Sequence, residues 1–276
     1  MPPTCYWHPD RETYVRCTRC DRPICPEDMI PASVGFQCPD DVRAGARTIR
    51  PTRTSLGGRV QLDASRITMI LIAINVIVFA AGFAVPGLVG RFANVAQGVD
   101  SDGQLVGVAD GEVFRLLTAA FLHGGWLHLL VNMLALFTIG PQLEAALGRG
   151  RYLTLYLLSA LGGSVAGFVF SPPTTYSVGA SGAVFGLFGA FYLVVRRLGG
   201  DTGQIAVLLI INLVITFTIP NIDARAHLGG LATGAVLAAA FAYAPQARRD
   251  VVAVAASLAV AVLLLVAVLT RSAALG

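Results

Sequence analysis

Residues 179–197 read Gly-Ala-Ser-Gly-Ala-Val-Phe-Gly-Leu-Phe-Gly-Ala-Phe-Tyr-Leu-Val-Val-Arg-Arg. The run is apolar, about the length that crosses a hydrocarbon core as a helix, and closed by two arginines. It carries a hydroxyl, Ser181, where lipid makes polar groups costly. Gly182 and Gly186 place two small residues on one helical face, which lets a second helix approach closely.

Six more apolar segments of similar length flank this one at 179–196. They cover roughly 67–85, 126–146, 151–171, 204–220, 226–244 and 250–270. Each must be helical, because backbone groups in lipid have to be satisfied within their own segment. Composition agrees: 55% of the 276 residues are hydrophobic, 13% are charged, and the mean hydropathy is +0.69. A soluble domain of this length carries about twice that charged fraction.

A net charge of +4 and a pI near 9.0 raise nucleic acid as a ligand, and the placement of the charges excludes it. All 20 basic residues are arginine. Ten precede residue 67 and most others lie between apolar runs, which is a topology signal. With the N-terminus cytoplasmic, the inner side carries the arginines from Arg43 to Arg66 together with Arg149, Arg151, Arg196, Arg197, Arg248 and Arg249. The outer side carries only Arg91, Arg115, Arg225 and Arg271. Seven spans then leave the C-terminus extracytoplasmic. The first apolar run begins at Ile67, too late for a signal peptide. The expected home is a bacterial cell membrane. The long loop 86–125 has apolar residues of its own and is expected to be structured.

The costly polar side chains singled out within the spans are Asn75, His128, Asn132, Glu144, Ser181, Asn212 and His227. Ser181, His227 and the His128/Asn132 pair lie near the starts of three segments that run in the same direction, so all four share one depth below the outer surface. Gly230 and Gly234 offer a small-residue face like that of Gly182 and Gly186, and close approach of the two segments brings Ser181 within reach of His227. A serine is a weak nucleophile until a base takes its proton, and histidine has the pKa range for that work. No carboxylate lies at that depth, so the arrangement is a dyad whose imidazole must be held by packing or a backbone contact; Phe185 is one candidate. Backbone N–H groups at the helix start, with His128 and Asn132 on one helical face, can stabilise an oxyanion. Glu144 falls near the other end of its span and is expected to tie to Arg149 or Arg151. Asn75 and Asn212 are expected to bond between helices, and His123 to serve loop structure.

These residues resemble the rhomboid family of intramembrane serine proteases over about residues 67–244. Gly179-Ala180-Ser181-Gly182 looks like its GxSG motif, and Ala226-His227-Leu228-Gly229-Gly230 with Gly234 like its AHxxGxxxG motif. His128 to Asn132 looks like its HxxxN motif, and Phe114-Arg115 like the aromatic-Arg pair of its first loop. The resemblance implies an all-α membrane protein with a six-helix core, here with a seventh, C-terminal helix. It also implies a water-filled cavity open to the outside, with Ser181 and His227 catalytic, and with His128, Asn132 and Gly179 serving the oxyanion and substrate. Phe185 stands where the family places Tyr or Phe against the histidine. Implied substrates are transmembrane proteins, cut near their outer ends where small and helix-breaking residues occur. An inactive client-binding relative and a transporter are the competing readings. The intact Ser181 and His227 argue against the first, and the lack of an internal repeat against the second.

Residues 1–42 form a Cys-rich head, 43–66 an Arg-rich flexible linker, and 67–276 the membrane domain. All five cysteines lie in the head. Cys5-x2-His8, Cys17-x2-Cys20, Cys25-x2-Asp28 and Cys38-x2-Asp41 fit two tetrahedral zinc sites in a reducing compartment. The order resembles a B-box-like cross-brace finger. That implies Cys5, His8, Cys25 and Asp28 around one metal, and Cys17, Cys20, Cys38 and Asp41 around the other. Aspartate at two positions where Cys or His is usual leaves those fourth ligands open. Such a head suits a protein partner, which the sequence does not name.

Overall fold

The computed structural model of the chain describes residues 2–48, 52–60, 63, 65–99, 103–220 and 222–276. Arg50 and Pro51 of the expected linker lie outside the described residues. Two compact units form, Met1–Thr52 and Arg53–Gly276.

The first unit contains a 3-10 turn at Pro26–Asp28, a short antiparallel hairpin of β1 (Ile30–Pro31) and β2 (Phe36–Gln37), and helix α1 (Pro39–Thr48). Asp40 and Asp41 sit in the first turn of α1 and Arg47 in its last, matching the helix dipole. Helix α1 carries the head past residue 42, into the expected linker. Among the described residues the buried apolar cluster is Cys17, Ile24 and Cys38, backed by Tyr6 and Met29. So small a core is too little to order a domain of this size without an added staple.

The second unit is helical. Helix α2 (Arg66–Ala84) leads into a long connection holding α3 (Leu88–Phe92), the hairpin β3 (Gly98–Val99) and β4 (Leu105–Val106), and α4 (Arg115–Thr118). Then come α5 (Trp126–Leu147), α6 (Arg149–Phe170), α7 (Ser181–Arg197), α8 (Gly203–Thr218), α9 (Ala224–Tyr243) and α10 (Arg249–Leu275). Five of these helices, α2, α5, α6, α9 and α10, are long and apolar enough to cross a membrane. The other two, α7 and α8, have 17 and 16 residues. The chain is thus a multi-pass membrane protein, and the helix ends fall within a few residues of the apolar boundaries read from the sequence.

Helices α6, α7 and α9 make the kernel. Their contacts run through glycine because the backbones nearly touch. A Cβ on Gly230 would overlap the Gly182 carbonyl oxygen, and one on Gly234 would overlap that of Gly186. A Cβ on Gly163 would stand 2.8 Å from the Ala226 oxygen and 3.0 Å from Gly182 Cα. Burial falls off outward: 56% of the most apolar stretch of α6 is buried in the bundle, but only 22% of α2 and 17% of α10.

The connection before α5 is ordered around Arg115, whose side chain is 2% exposed. Its Nε donates to Glu112 (2.7 Å), and one terminal nitrogen donates to the carbonyls of Gly90 (2.8 Å) and Ala93 (3.0 Å). One cation thereby joins α3 to α4.

Two expectations change, and a third is extended. Glu144, 1% exposed, chiefly caps the start of α2, accepting from the backbone N–H of Ile67 (3.0 Å) and Thr68 (2.9 Å) and from the Thr68 hydroxyl (2.9 Å). It also forms the expected ion pair with Arg149, at 3.7 Å. Asn212 donates to the Leu208 carbonyl of its own helix at 2.8 Å rather than between helices, whereas Asn75 donates to Leu71 at 2.8 Å and its side chain also interacts with Tyr156 of α6. Part of the expected flexible linker is tied down. Thr54 donates to the Ala146 carbonyl at 2.7 Å, Leu56 is 2% exposed, and Arg53 and Arg151 both reach Asp250 at 2.8 Å.

Candidate active site

Ser181 is the first residue of α7. The two prolines Pro172 and Pro173 prevent α6 from continuing. Gly179 then turns the chain with φ +132°, a conformation that favours glycine. A Cβ there would also stand 2.7 Å from Cε1 and Nε2 of His128, and 3.6 Å from Ser181 Oγ. Gly179 is therefore required twice, and the His128 ring lies against the turn that presents Ser181. No side chain caps α7, so the first backbone N–H groups of the helix have no intrahelical partner.

His227 lies in the first turn of α9. Asp223 caps this helix, its Oδ1 accepting from the N–H groups of Arg225 (3.1 Å) and Ala226 (3.0 Å). The ring of Phe185 stacks on His227 with centroids 4.2 Å apart and planes 19° apart. Phe185 follows Ser181 by four residues, so the two share one face of α7, and that face is turned toward His227. Gly182 and Ala226, the chain neighbours of Ser181 and His227, also meet: a Cβ on Gly182 would stand 3.4 Å from the Ala226 oxygen.

The other sequence candidates cluster nearby. His128 Nδ1 accepts the Gly124 N–H at 3.4 Å, which leaves Nε2 on the Gly179 side. Asn132 is buried, and one N–H of its amide donates to the His128 carbonyl at 2.8 Å, leaving the other N–H for a ligand. His123 packs edge-on against His128 at 5.1 Å. One residue escaped the sequence reading. Thr216 of α8 is 3% exposed, and its Oγ1 lies 2.7 Å from His227 Nδ1. Nothing in the sequence separates it from Thr218, whose hydroxyl makes the same bond to the carbonyl four residues back.

In the other unit, each of the two expected ligand sets converges, with its four donor atoms all within 4.8 Å of one another. In the first, Asp28 Oδ2 lies 2.9 Å from His8 Nδ1, 3.1 Å from Cys5 Sγ and 3.4 Å from Cys25 Sγ. In the second, Cys20 and Cys38 sulfurs are 3.7 Å apart, and Asp41 Oδ2 is 3.1 Å from Cys17 Sγ and 3.2 Å from Cys38 Sγ. A tetrahedral zinc ion at about 2.3 Å from sulfur and about 2.0 Å from nitrogen or oxygen sets edges near 3.8 Å between sulfurs and roughly 3.3–3.5 Å otherwise. The six distances given match those edges to within about half an ångström, so aspartate can fill the fourth position in each. The thiol of Cys20 leads the contacts that hold the Asp41 carboxyl down at about 2, while burial pushes the Cys38 thiol up to about 11. A bound cation is what lets such a buried thiol ionise.

Fold and site together define a polytopic helical membrane protein whose serine and histidines gather at one end of a glycine-packed bundle. The family model for the rhomboid domain matches residues 110–244. Among curated relatives, rhomboid protease GluP of Bacillus subtilis is 45% identical over 141 residues, 48% of this chain and 27% of GluP. Putative rhomboid protease YdcA of the same organism is 40% identical over 140 residues, 49% of this chain and 70% of YdcA. RHOMBOID-like protein 5 of Arabidopsis thaliana is 37% identical over 147 residues, 50% of this chain and 47% of that protein. This chain belongs to the rhomboid family. It spans less than half the length of GluP and of RHOMBOID-like protein 5.

Proposed function

We propose that the chain is an intramembrane serine endopeptidase that cuts transmembrane proteins near their extracytoplasmic ends. The observation that carries this reading is the meeting of α7 and α9 through bare backbone beside Ser181 and His227, with Phe185 stacked on the imidazole. In the reaction, Ser181 Oγ attacks the scissile carbonyl while His227 takes its proton. The oxyanion receives hydrogen bonds from the first N–H groups of α7 and from His128 and Asn132. The C–N bond then breaks as His227 returns the proton to the leaving amine. Water, activated by the same imidazole, hydrolyses the acyl-enzyme.

The length of α7 supports a site below the surface. Its 17 residues span about 26 Å, short of a hydrocarbon core of about 30 Å. Arg196 and Arg197 hold one end at an interface, so the Ser181 end stops short of the other, where water can still enter. The arginine asymmetry supports an outer position for that end and a cytoplasmic N-terminus, and the two Bacillus relatives favour a bacterial membrane.

The head binds two zinc ions, one through Cys5, His8, Cys25 and Asp28 and one through Cys17, Cys20, Cys38 and Asp41. The ions supply folding energy rather than catalysis, and the folded head presents a surface to a protein partner.

The test is cleavage of a model transmembrane substrate in proteoliposomes. Wild type cuts it; Ser181→Ala and His227→Ala do not, and Ser181→Ala loses labelling by a fluorophosphonate. Cleavage by Ser181→Ala at the wild-type rate refutes the mechanism.

A further inference from the structure

The dyad leaves open what holds the imidazole, since no carboxylate bonds to it among the described residues. We propose that Thr216 is the positioning residue: its hydroxyl oxygen accepts the Nδ1 proton of His227 and holds the tautomer whose bare Nε2 serves Ser181. This rests on the dyad reading above and adds a third member from a third helix.

Proton bookkeeping carries the assignment. A threonine hydroxyl has one proton and two lone pairs. Thr216 Oγ1 gives its proton to the Asn212 carbonyl at 2.8 Å. What it can offer His227 Nδ1, 2.7 Å away, is a lone pair. Nδ1 must then carry the ring's proton, and Nε2 is left with the lone pair that general base chemistry needs. The alternative, with the hydroxyl turned toward a bare Nδ1, forfeits the hydroxyl's bond to the Asn212 carbonyl, so that one hydrogen bond stands where the first arrangement makes two.

Placement argues that this bond is more than a routine threonine contact. Only Ile205 and Thr216 are buried on α8, the rest of the helix being partly or fully exposed. Thr218, two residues on, makes the same bond to its own helix at 2.8 Å but is exposed. The polar position that α8 turns inward is the one that meets His227. With Phe185 covering one face of the ring and Asp223 fixing the start of its helix, Thr216 supplies the in-plane contact that stacking cannot give.

The experiment compares wild type, Thr216→Val and Thr216→Ser in proteoliposomes, with Ser181→Ala in parallel. It is joined to nitrogen NMR of the full protein carrying labelled histidine, with His227→Gln to assign the signal. In wild type, His227 carries its neutral-state proton on Nδ1. In Thr216→Val, which keeps the shape and loses the oxygen, both tautomers appear and kcat falls roughly tenfold with KM unchanged, the scale of one lost neutral hydrogen bond. Thr216→Ser keeps the wild-type tautomer and kcat within about twofold. A wild-type spectrum with the proton on Nε2 overturns the proposal, even if Thr216→Val does not fold. A folded Thr216→Val with wild-type kcat and an unchanged tautomer also overturns it. If Ser181→Ala cuts normally, the dyad reading fails instead, and the tautomer measurement still reports on Thr216 separately.

Discussion

Replacing Gly230 with alanine adds one methyl group between α7 and α9, and the cost follows from the space it would occupy. The new Cβ would overlap the Gly182 carbonyl oxygen and lie 2.9 Å from Gly182 Cα. Carbon atoms rest at about 3.5–4.0 Å, so the two backbones must part by about 1 Å or more. Neither contact is with a flexible side chain, and Gly182 adjoins Ser181, so the displacement reaches Ser181 directly. Misplacement of reacting groups by about 1 Å can lower a rate by roughly 10²-fold. Overpacking of this kind also destabilises by about 1–3 kcal/mol. The assay is proteoliposome cleavage with thermal unfolding in a mild detergent, using Gly150→Ala as control. Gly150 lies in α6 with nothing within 4 Å of an added Cβ, so its variant should match wild type or gain slightly in stability. Gly230→Ala with activity within twofold of wild type and an unchanged melting temperature would show that the helices do not meet through backbone, and the argument for the dyad would lose its base.

Gly179→Ala should lower kcat about 10²-fold and slow fluorophosphonate labelling, because alanine is strained at φ +132° and its methyl displaces the His128 ring; normal labelling would count against the tight turn. Asn132→Ala should weaken turnover by a few kcal/mol in the transition state without abolishing it, and unchanged kinetics would remove Asn132 from the site. Glu144→Ala should destabilise by about 3 kcal/mol, read as an earlier thermal transition, because two N–H groups at the start of α2 lose a charged acceptor. Metal analysis of the purified protein should find two zinc ions per chain. Chelation should leave residues 1–52 open to limited proteolysis, whereas a resistant metal-free head would refute a metal-dependent fold.

The spans were legible because lipid imposes a harsh rule: an apolar run of membrane length has few other uses, and each of the seven became a helix. The gathering of His128, Asn132 and His227 around the start of α7 was legible for the same reason, since like-directed helices that start together place their first turns together. The paired x2 spacings foretold both clusters of the head. What stayed hidden was any contact that depends on how a helix is rotated about its axis. Thr216 and Thr218 look alike in a sequence, and only the rotation of α8 turns one toward His227. Asn212 failed as a bridge between helices because an amide can always find the carbonyl four residues back. Glu144 does pair with Arg149, but its shorter bonds go to the N–H groups at the start of α2, which its place in the sequence did not reveal.

The uneven burial of the bundle sets the order in which it comes apart. α6, α7 and α9 hold one another through contacts that detergent cannot enter, whereas α2 and α10 face lipid along most of their length and lean on the surrounding acyl chains. A harsh surfactant should therefore peel the outer helices while the inner three persist, still bearing Ser181 and His227. In backbone amide exchange the two populations should separate, with α10 and α2 opening early and the inner trio last. Covalent tagging of the serine could then outlive peptide cutting during purification, and a labelled preparation need not be a working one.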